Sequence, residues 1–204
     1  MVAGSDTTAI SLSAVLYHLL RSPDKMAKLR NEIDQSFSEQ TIPSNGIGFQ
    51  DSLGRPYLQA VIKEALRMHP ATGLPLERVV PESGATIGGR FFPAGTIIGV
   101  NSWVEHYNPA IFGQDAYEFV PERWLTTEAE KLSLMNRHWM PFGLGSRTCI
   151  GRHVSTLEIS KLIPRLLHEF EFELCDKNPW VTKNCWFVKP IAFKVYIRPR
   201  TPRQ

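Results

Sequence analysis

Apolar residues recur at helical spacing along much of the chain. Ile10, Ala14, Leu16 or Tyr17, and Leu20 predict a helix over residues 1–21. Ser22-Pro23-Asp24 reads as a fresh start, with a capping serine, a proline in the first turn and then an acid, and Met26, Leu29, Ile33 and Phe37 form the stripe that follows. Residues 40–48, rich in Pro, Ser, Asn and Gly, read as a loop. Leu58, Val61, Ile62, Ala65 and Leu66 give the buried face of a helix over residues 57–68, which Pro70 ends.

The period then changes. Residues 86–92 read as a hairpin turning at Gly88-Gly89, and residues 93–100 as a turn followed by a strand. Residues 128–140 are polar and read as an irregular loop. Ile150, Val154, Leu157, Leu162 and Leu166 predict a helix from Cys149 to about His168, kinked at Pro164. Phe170–Leu174 alternates as a strand, residues 186–188 and 192–197 are expected to close a terminal hairpin, and residues 199–204 form a frayed basic tail. The expected fold class is mainly α with small β-sheets.

Composition changes this picture little. With 204 residues, 43% of them hydrophobic and 21% charged, the chain is a folded globular one. A net charge of +3 is too mild to argue for nucleic-acid binding. The early apolar run, residues 9–20, is short and interrupted by Ser11, Ser13 and His18, so no membrane span, anchor or secretion signal is expected in this chain. The cysteines are Cys149, Cys175 and Cys185, an odd count that suggests a reducing compartment and leaves Cys149 free for a metal.

The chemistry concentrates in Pro141-Phe142-Gly143-Leu144-Gly145-Ser146-Arg147-Thr148-Cys149-Ile150-Gly151. A cysteine entering a helix N-terminus is biased toward the thiolate. Glycines give clearance for something flat. Arg147 offers a forked donor suited to a carboxylate. Thiolate, clearance and clamp together describe a haem seat with cysteine as axial ligand. The plainer reading of a lone cysteine here is a buried structural one.

Three further groups stand out. Ala3-Gly4-Ser5-Asp6-Thr7-Thr8 is either a capped helix start, with Ser5 or Asp6 as N-cap, or a helix distorted by a threonine hydroxyl, beside which an acid passes protons inward. Glu64 and Arg67, three apart on one helix face, read by themselves as a solvated pair. Arg78 by itself reads as an exposed strand arginine.

Phe142-x-x-Gly145-x-Arg147-x-Cys149-x-Gly151 closely resembles the haem-binding loop of the cytochrome P450 family. Residues 3–8 resemble that family's oxygen-activation motif, Glu64-Ala65-Leu66-Arg67 its E-x-x-R helix, and Pro121-Glu122-Arg123-Trp124 its PERF-type motif, with tryptophan where phenylalanine is more usual. The four occur in family order, in a style that points to a eukaryotic, fungal-type member.

The resemblance implies the C-terminal, haem-binding portion of the P450 fold over residues 1–204, with the preceding helices and any N-terminal anchor missing. It implies haem b ligated by Cys149 and seated by Phe142, Gly145, Arg147 and Gly151, with Arg78 on a propionate. Asp6 and Thr7 would relay protons to dioxygen. Glu64, Arg67 and Arg123 would form a structural trio bracing the loop, with backbone carbonyls balancing the excess positive charge. Ala71, Thr72, Gly73 and Leu74, with the turn near residues 184–187, would line a pocket for a small lipophilic substrate. Electrons would come from NADPH through a reductase, docked on a face where Arg137, His138, Arg147 and Arg152 attract an acidic partner. A complete parent would sit at the endoplasmic reticulum membrane. The expected activity is monooxygenation. The alternatives are a haem-thiolate isomerase or dehydratase, against which the Asp6-Thr7 pair argues, and an inactive fragment retaining at most haem binding.

Overall fold

The computed structural model describes residues 2–38 and 48–201. The loop expected over residues 40–48 therefore lies almost wholly outside the described residues. Eight α-helices and eight strands are described, with the strands paired into four two-stranded antiparallel ladders.

Four helices make the main core: α1 (Val2–Leu20), α2 (Pro23–Ser38), α4 (Pro56–Met68) and α8 (Arg152–Glu169). Val15 and Leu19 of α1, Leu29 and Ile33 of α2, Leu58, Val61 and Ala65 of α4, and Ile159, Ile163 and Leu167 of α8 meet in one cluster. The stripes expected for α2 and α4 enter this cluster, and α1 adds Val15 and Leu19 to its expected face. The stripe expected for α8 is not the buried one: Ile150, Val154, Leu157 and Leu162 are exposed, and Ile159, Ile163 and Leu167 face the core instead. The short α3 (Phe49–Leu53) and the first turn of α4 close the side near α2, where Glu32 accepts the backbone N–H groups of Tyr57 and Leu58 at 2.9 Å each. That carboxylate stands in for a capping side chain, since Arg55 at the N-cap position makes no cap bond.

A second, smaller core lies behind α4. Ala60 packs there with Phe112 of α6 (Pro109–Phe112), Ala116, Trp124 and Met135 of α7 (Ala129–His138). Residues 128–140 are thus not irregular. Leu132, Met135 and Trp139 recur at intervals of three and four, and that sparse stripe is enough to hold a helix once Met135 has a core to enter.

Strand β1 (Leu76–Val79) pairs with β4 (Ile97–Val100), and β2 (Ala85–Ile87) with β3 (Arg90–Phe92) around Gly88 and Gly89, both at positive φ. The C-terminal pairing differs from expectation. β5 (Phe170–Leu174) pairs with β8 (Val195–Pro199), while β6 (Val181–Cys185) and β7 (Phe187–Ile191) form a hairpin between them. Trp186, at φ 78°, is the turn of that hairpin rather than part of a strand. Residues 186–188 and 192–197 therefore do not pair with each other. The end of the chain is also pinned, not frayed, as far as it is described. Pro199 lies in β8, and Arg200 donates to Asp34 on α2 at 2.8 and 2.6 Å. Residues 202–204 lie outside the described residues.

Two helix expectations need correction. α1 is continuous from Val2, so Ser5 and Asp6 lie inside it rather than capping it, and no break marks the Thr7 region. α8 begins at Arg152, leaving Cys149 in the turn before it, and Pro164 lies inside the helix as expected.

Candidate active site

The cysteine loop is built from its own backbone. The Cys149 N–H donates to the Phe142 carbonyl at 2.8 Å, and the Thr148 hydroxyl donates to the Phe142 and Gly143 carbonyls at 3.3 and 3.4 Å. Gly143 and Gly145 sit at φ +67° and +69°, conformations that an L side chain rarely adopts, so glycine is required at both. Arg152 N–H then bonds the Cys149 carbonyl at 3.4 Å and starts α8.

Cys149 is exposed, which rules out the reading of a buried structural cysteine. Its neighbours make an apolar ledge: Ile150 is fully exposed, Val154 61% and Leu144 46%. A β-carbon on Gly151 would come within 3.8 Å of the Cys149 sulfur.

Two guanidinium groups flank the ledge. Arg78 on β1 donates to the Leu144 carbonyl at 3.4 Å, so it reaches the loop rather than standing apart on its strand. Arg147 is exposed. A soft sulfur donor, a wide apolar ledge and two forked cations at its margin fit haem, a flat apolar disc with a metal at its centre and carboxylates at its edge. Cys149 would hold the iron, and Arg78 and Arg147 the carboxylates.

α1 crosses α8 next to this loop, and the Thr8 hydroxyl donates to Ser155 Oγ at 3.3 Å. Asp6 and Thr7 lie two and one residues earlier on α1, both partly exposed. The Thr7 carbonyl accepts the Ser11 hydroxyl at 2.9 Å. Asp6 Oδ2 meets Lys189 Nζ of β7 at 2.7 Å, a partner that nothing in the sequence signalled.

Behind the loop lies a buried polar cluster. Glu64 and Arg67 are both fully buried. Glu64 Oε1 accepts Arg67 Nη2 at 2.8 Å, Arg123 Nε at 2.9 Å and the Val120 N–H at 3.0 Å. Its Oε2 accepts Arg67 Nε at 2.9 Å and the Trp124 indole N–H at 2.8 Å. Arg67 Nη1 goes on to the carbonyls of His106 and Ala116 at 2.6 and 2.7 Å. Arg123 reaches the Phe112 carbonyl, the Asp115 carbonyl at 3.0 Å and the Asp115 carboxylate, also at 3.0 Å. Asp115 was not legible as a member, and it changes the charge balance: two guanidinium groups face two carboxylates, so backbone carbonyls are not the only compensation.

The cluster connects to the cysteine loop through His106. Its Nδ1–H donates to the Arg67 carbonyl and its Nε2 accepts the Met140 N–H, both at 2.9 Å. Burial lowers the His106 pKa to about 4, which keeps Nε2 free to accept. A second link runs through Lys63. Its ammonium lies over the rings of Trp124 and Trp139 at 4.3 and 5.4 Å, and burial lowers its pKa to about 8. Trp139 in turn packs edge-on against Phe142 of the loop, with ring centroids 6.0 Å apart.

The stretch Ala71, Thr72, Gly73 and Leu74 is bound to the β6–β7 hairpin. Val188 N–H donates to the Ala71 carbonyl and Gly73 N–H to the Trp186 carbonyl, both at 2.9 Å, and Thr72 forms a bridge with Phe187. Asn184 donates to the Gly73 carbonyl at 3.2 Å. A β-carbon on Gly73 would lie 2.5 Å from both Asn184 Nδ2 and Val188 Cγ2, so glycine is needed here for packing. Only Leu74 of the four is exposed. Arg137, Arg147 and Arg152 are exposed, whereas His138 is engaged by Glu105.

Fold and loop together define a mainly α protein with an exposed cysteine on a glycine-opened loop before its last helix. Residues 1–195 match the family described as Cytochrome P450, and the chain belongs to that family. It is 48% identical to a pisatin demethylase of Fusarium vanettenii over 97% of this chain and 38% of that protein. It is 44% identical to the cytochrome P450 monooxygenase cicH of Emericella nidulans, over 97% of this chain and 40% of that protein. The crystal structure of a cytochrome P450, CYP102L1, superposes with a TM-score of 0.83 at 32% identity, covering 98% of this chain and 43% of the other. The chain thus spans about two fifths of the length of its curated relatives. Among the described residues, no helix is long and apolar enough to cross a membrane.

Proposed function

We propose that this chain carries the haem-thiolate half of a monooxygenase that hydroxylates a small lipophilic substrate with electrons from an NADPH-dependent reductase. The observation that carries the reading is the exposed Cys149 on a loop stitched at Phe142 and opened by Gly143 and Gly145, beside the α1 segment with Asp6 and Thr7. When bound, haem supplies reductive activation of dioxygen, with the cysteine thiolate pushing electron density to favour O–O cleavage.

The protein's part is binding, orientation and proton supply. Cys149 ligates through sulfur, and its backbone N–H, committed to Phe142, holds the turn rigid. Arg78 and Arg147 clamp the carboxylate edge. Asp6 takes a proton from solvent and Thr7 passes it inward along α1. Leu74 and the tip of the β6–β7 hairpin face the substrate. Glu64, Arg67 and Arg123, acting through His106, hold the loop without touching substrate. Arg137, Arg147 and Arg152 present positive charge to an acidic electron donor, so electron transfer slows as salt rises. In a complete parent this assembly works at the endoplasmic reticulum membrane.

A second reading, haem uptake without turnover, is favoured by the chain's span of about two fifths of its relatives' length. The test is the carbon monoxide difference spectrum of the reduced, haem-supplied chain. The red-shifted thiolate band is expected, and Cys149→Ser is expected to abolish it. A wild-type chain with no such band overturns the proposal. A band without hydroxylation by the reductase-supplied chain favours the second reading.

A further inference from the structure

We infer that Lys189 is a positioning residue for the Asp6 carboxylate, tying the proton-supplying acid on α1 to the hairpin that covers the pocket. The inference rests on the reading of Asp6 as proton donor. Its basis is geometric. Lys189 Nζ stands 2.7 Å from Asp6 Oδ2, so one carboxylate oxygen is held while the other stays available for exchange.

The pair adds little stability. The side chains are 52% and 38% exposed, so solvent screens the attraction. Its significance lies in where Lys189 is mounted. The preceding residue, Val188, is buried, with its N–H on the Ala71 carbonyl and its carbonyl accepting His69 Nε2–H, both at 2.9 Å. Strand alternation turns Lys189 to the face opposite Val188. Lys189 is therefore carried by a strand laced to Ala71, Thr72 and Gly73, the segment read as pocket wall. A substrate that displaces this hairpin moves Lys189, and with it the setting of Asp6.

The experiment reads the C–O stretching band of the reduced carbon monoxide complex of the haem-supplied chain, which responds to charge near the bound gas. Lys189→Met is expected to shift or broaden the band, Lys189→Arg to restore it, and Asp6→Asn to shift it and to make Lys189→Met silent. An unchanged band in Lys189→Met, with a shift in Asp6→Asn, overturns the positioning role while leaving the acid's role intact. An unchanged band in Asp6→Asn, or no haem uptake, overturns the underlying reading and this inference with it. A urea-unfolding cycle of Asp6→Asn and Lys189→Met without haem provides a check on folding. The expected coupling is about twofold to fivefold in the unfolding constant at low salt. Strict additivity overturns the pair.

Discussion

Glu64 is the residue on which most of the buried polar structure depends. Both its oxygens are filled by donors from Arg67, Arg123, Trp124 and Val120. A buried ion pair of this kind adds little over an apolar replacement, but breaking it strands the remaining charges. Glu64→Gln is expected to destabilise the chain by about 3–5 kcal/mol, read as a fall in the urea midpoint. Trp124→Phe keeps the ring but removes the indole donor, and is expected to cost about 1–2 kcal/mol. The Glu64–Arg67 spacing was legible because residues three apart share a helix face. Asp115 and the Trp124 indole were not, because their role depends on a loop and a 3-10 turn folding back over α4.

At the scale of elements, the helix after β4 sets the cysteine loop by way of one histidine. α5 (Ser102–Glu105) ends at His106, which bridges the Arg67 carbonyl and the Met140 N–H. A protonated Nε2 could not accept from Met140. The folded pKa of His106 is lowered from 6.5 to about 4, and that of His18 to about 3. The unfolded chain therefore binds protons near pH 6.5 that the folded chain refuses. Stability from these groups is complete above about pH 6.5 and is lost as the pH falls toward 4. The expected decline is on the order of 2–3 kcal/mol for His106, checked by urea midpoints at pH 7 and 4.5. His106→Gln, which keeps a donor and an acceptor, is expected to flatten that slope. α7 shows how little pattern an element needs. Its apolar residues are too few to stand out among charges, yet Met135 is fully buried.

At the scale of the molecule, the C-terminal strands act as a clasp. β8 lies on β5, and Arg200, just beyond it, bonds Asp34 on α2 and holds its carboxyl below the usual range despite burial. Arg200→Ala is expected to destabilise the chain by about 1–2 kcal/mol at pH 7. The loss should shrink as the pH falls through the lowered Asp34 pKa, because protonation of Asp34 then removes the pairing from the wild type as well. Thermal melts of the wild type and Arg200→Ala at pH 7 and 3 check this. Among the described residues the four ladders are short, and none has a third strand. They serve as struts and covers on a helical core, and the β6–β7 hairpin does both, closing over Gly73 and carrying Lys189 to α1.

The chain alone determined the elements and chemistry that rest on local spacing. Helical stripes marked α1, α2 and α4, and marked α8 by its period though not by its buried face; Gly88-Gly89 marked a hairpin; and Phe142 to Gly151 marked a glycine-opened cysteine loop, because the glycines, the arginine and the thiol lie within one loop. Tertiary structure alone decided which strand pairs with which, since β5 and β8 look no different from β6 and β7 until the chain closes. It also decided that Asp115 completes the Glu64 cluster and that Lys189 meets Asp6. These contacts join residues far apart in the chain, and their energies depend on burial and distance. Periodicity records which face of an element is apolar; it carries no record of what that face, or a polar side chain at its edge, will meet.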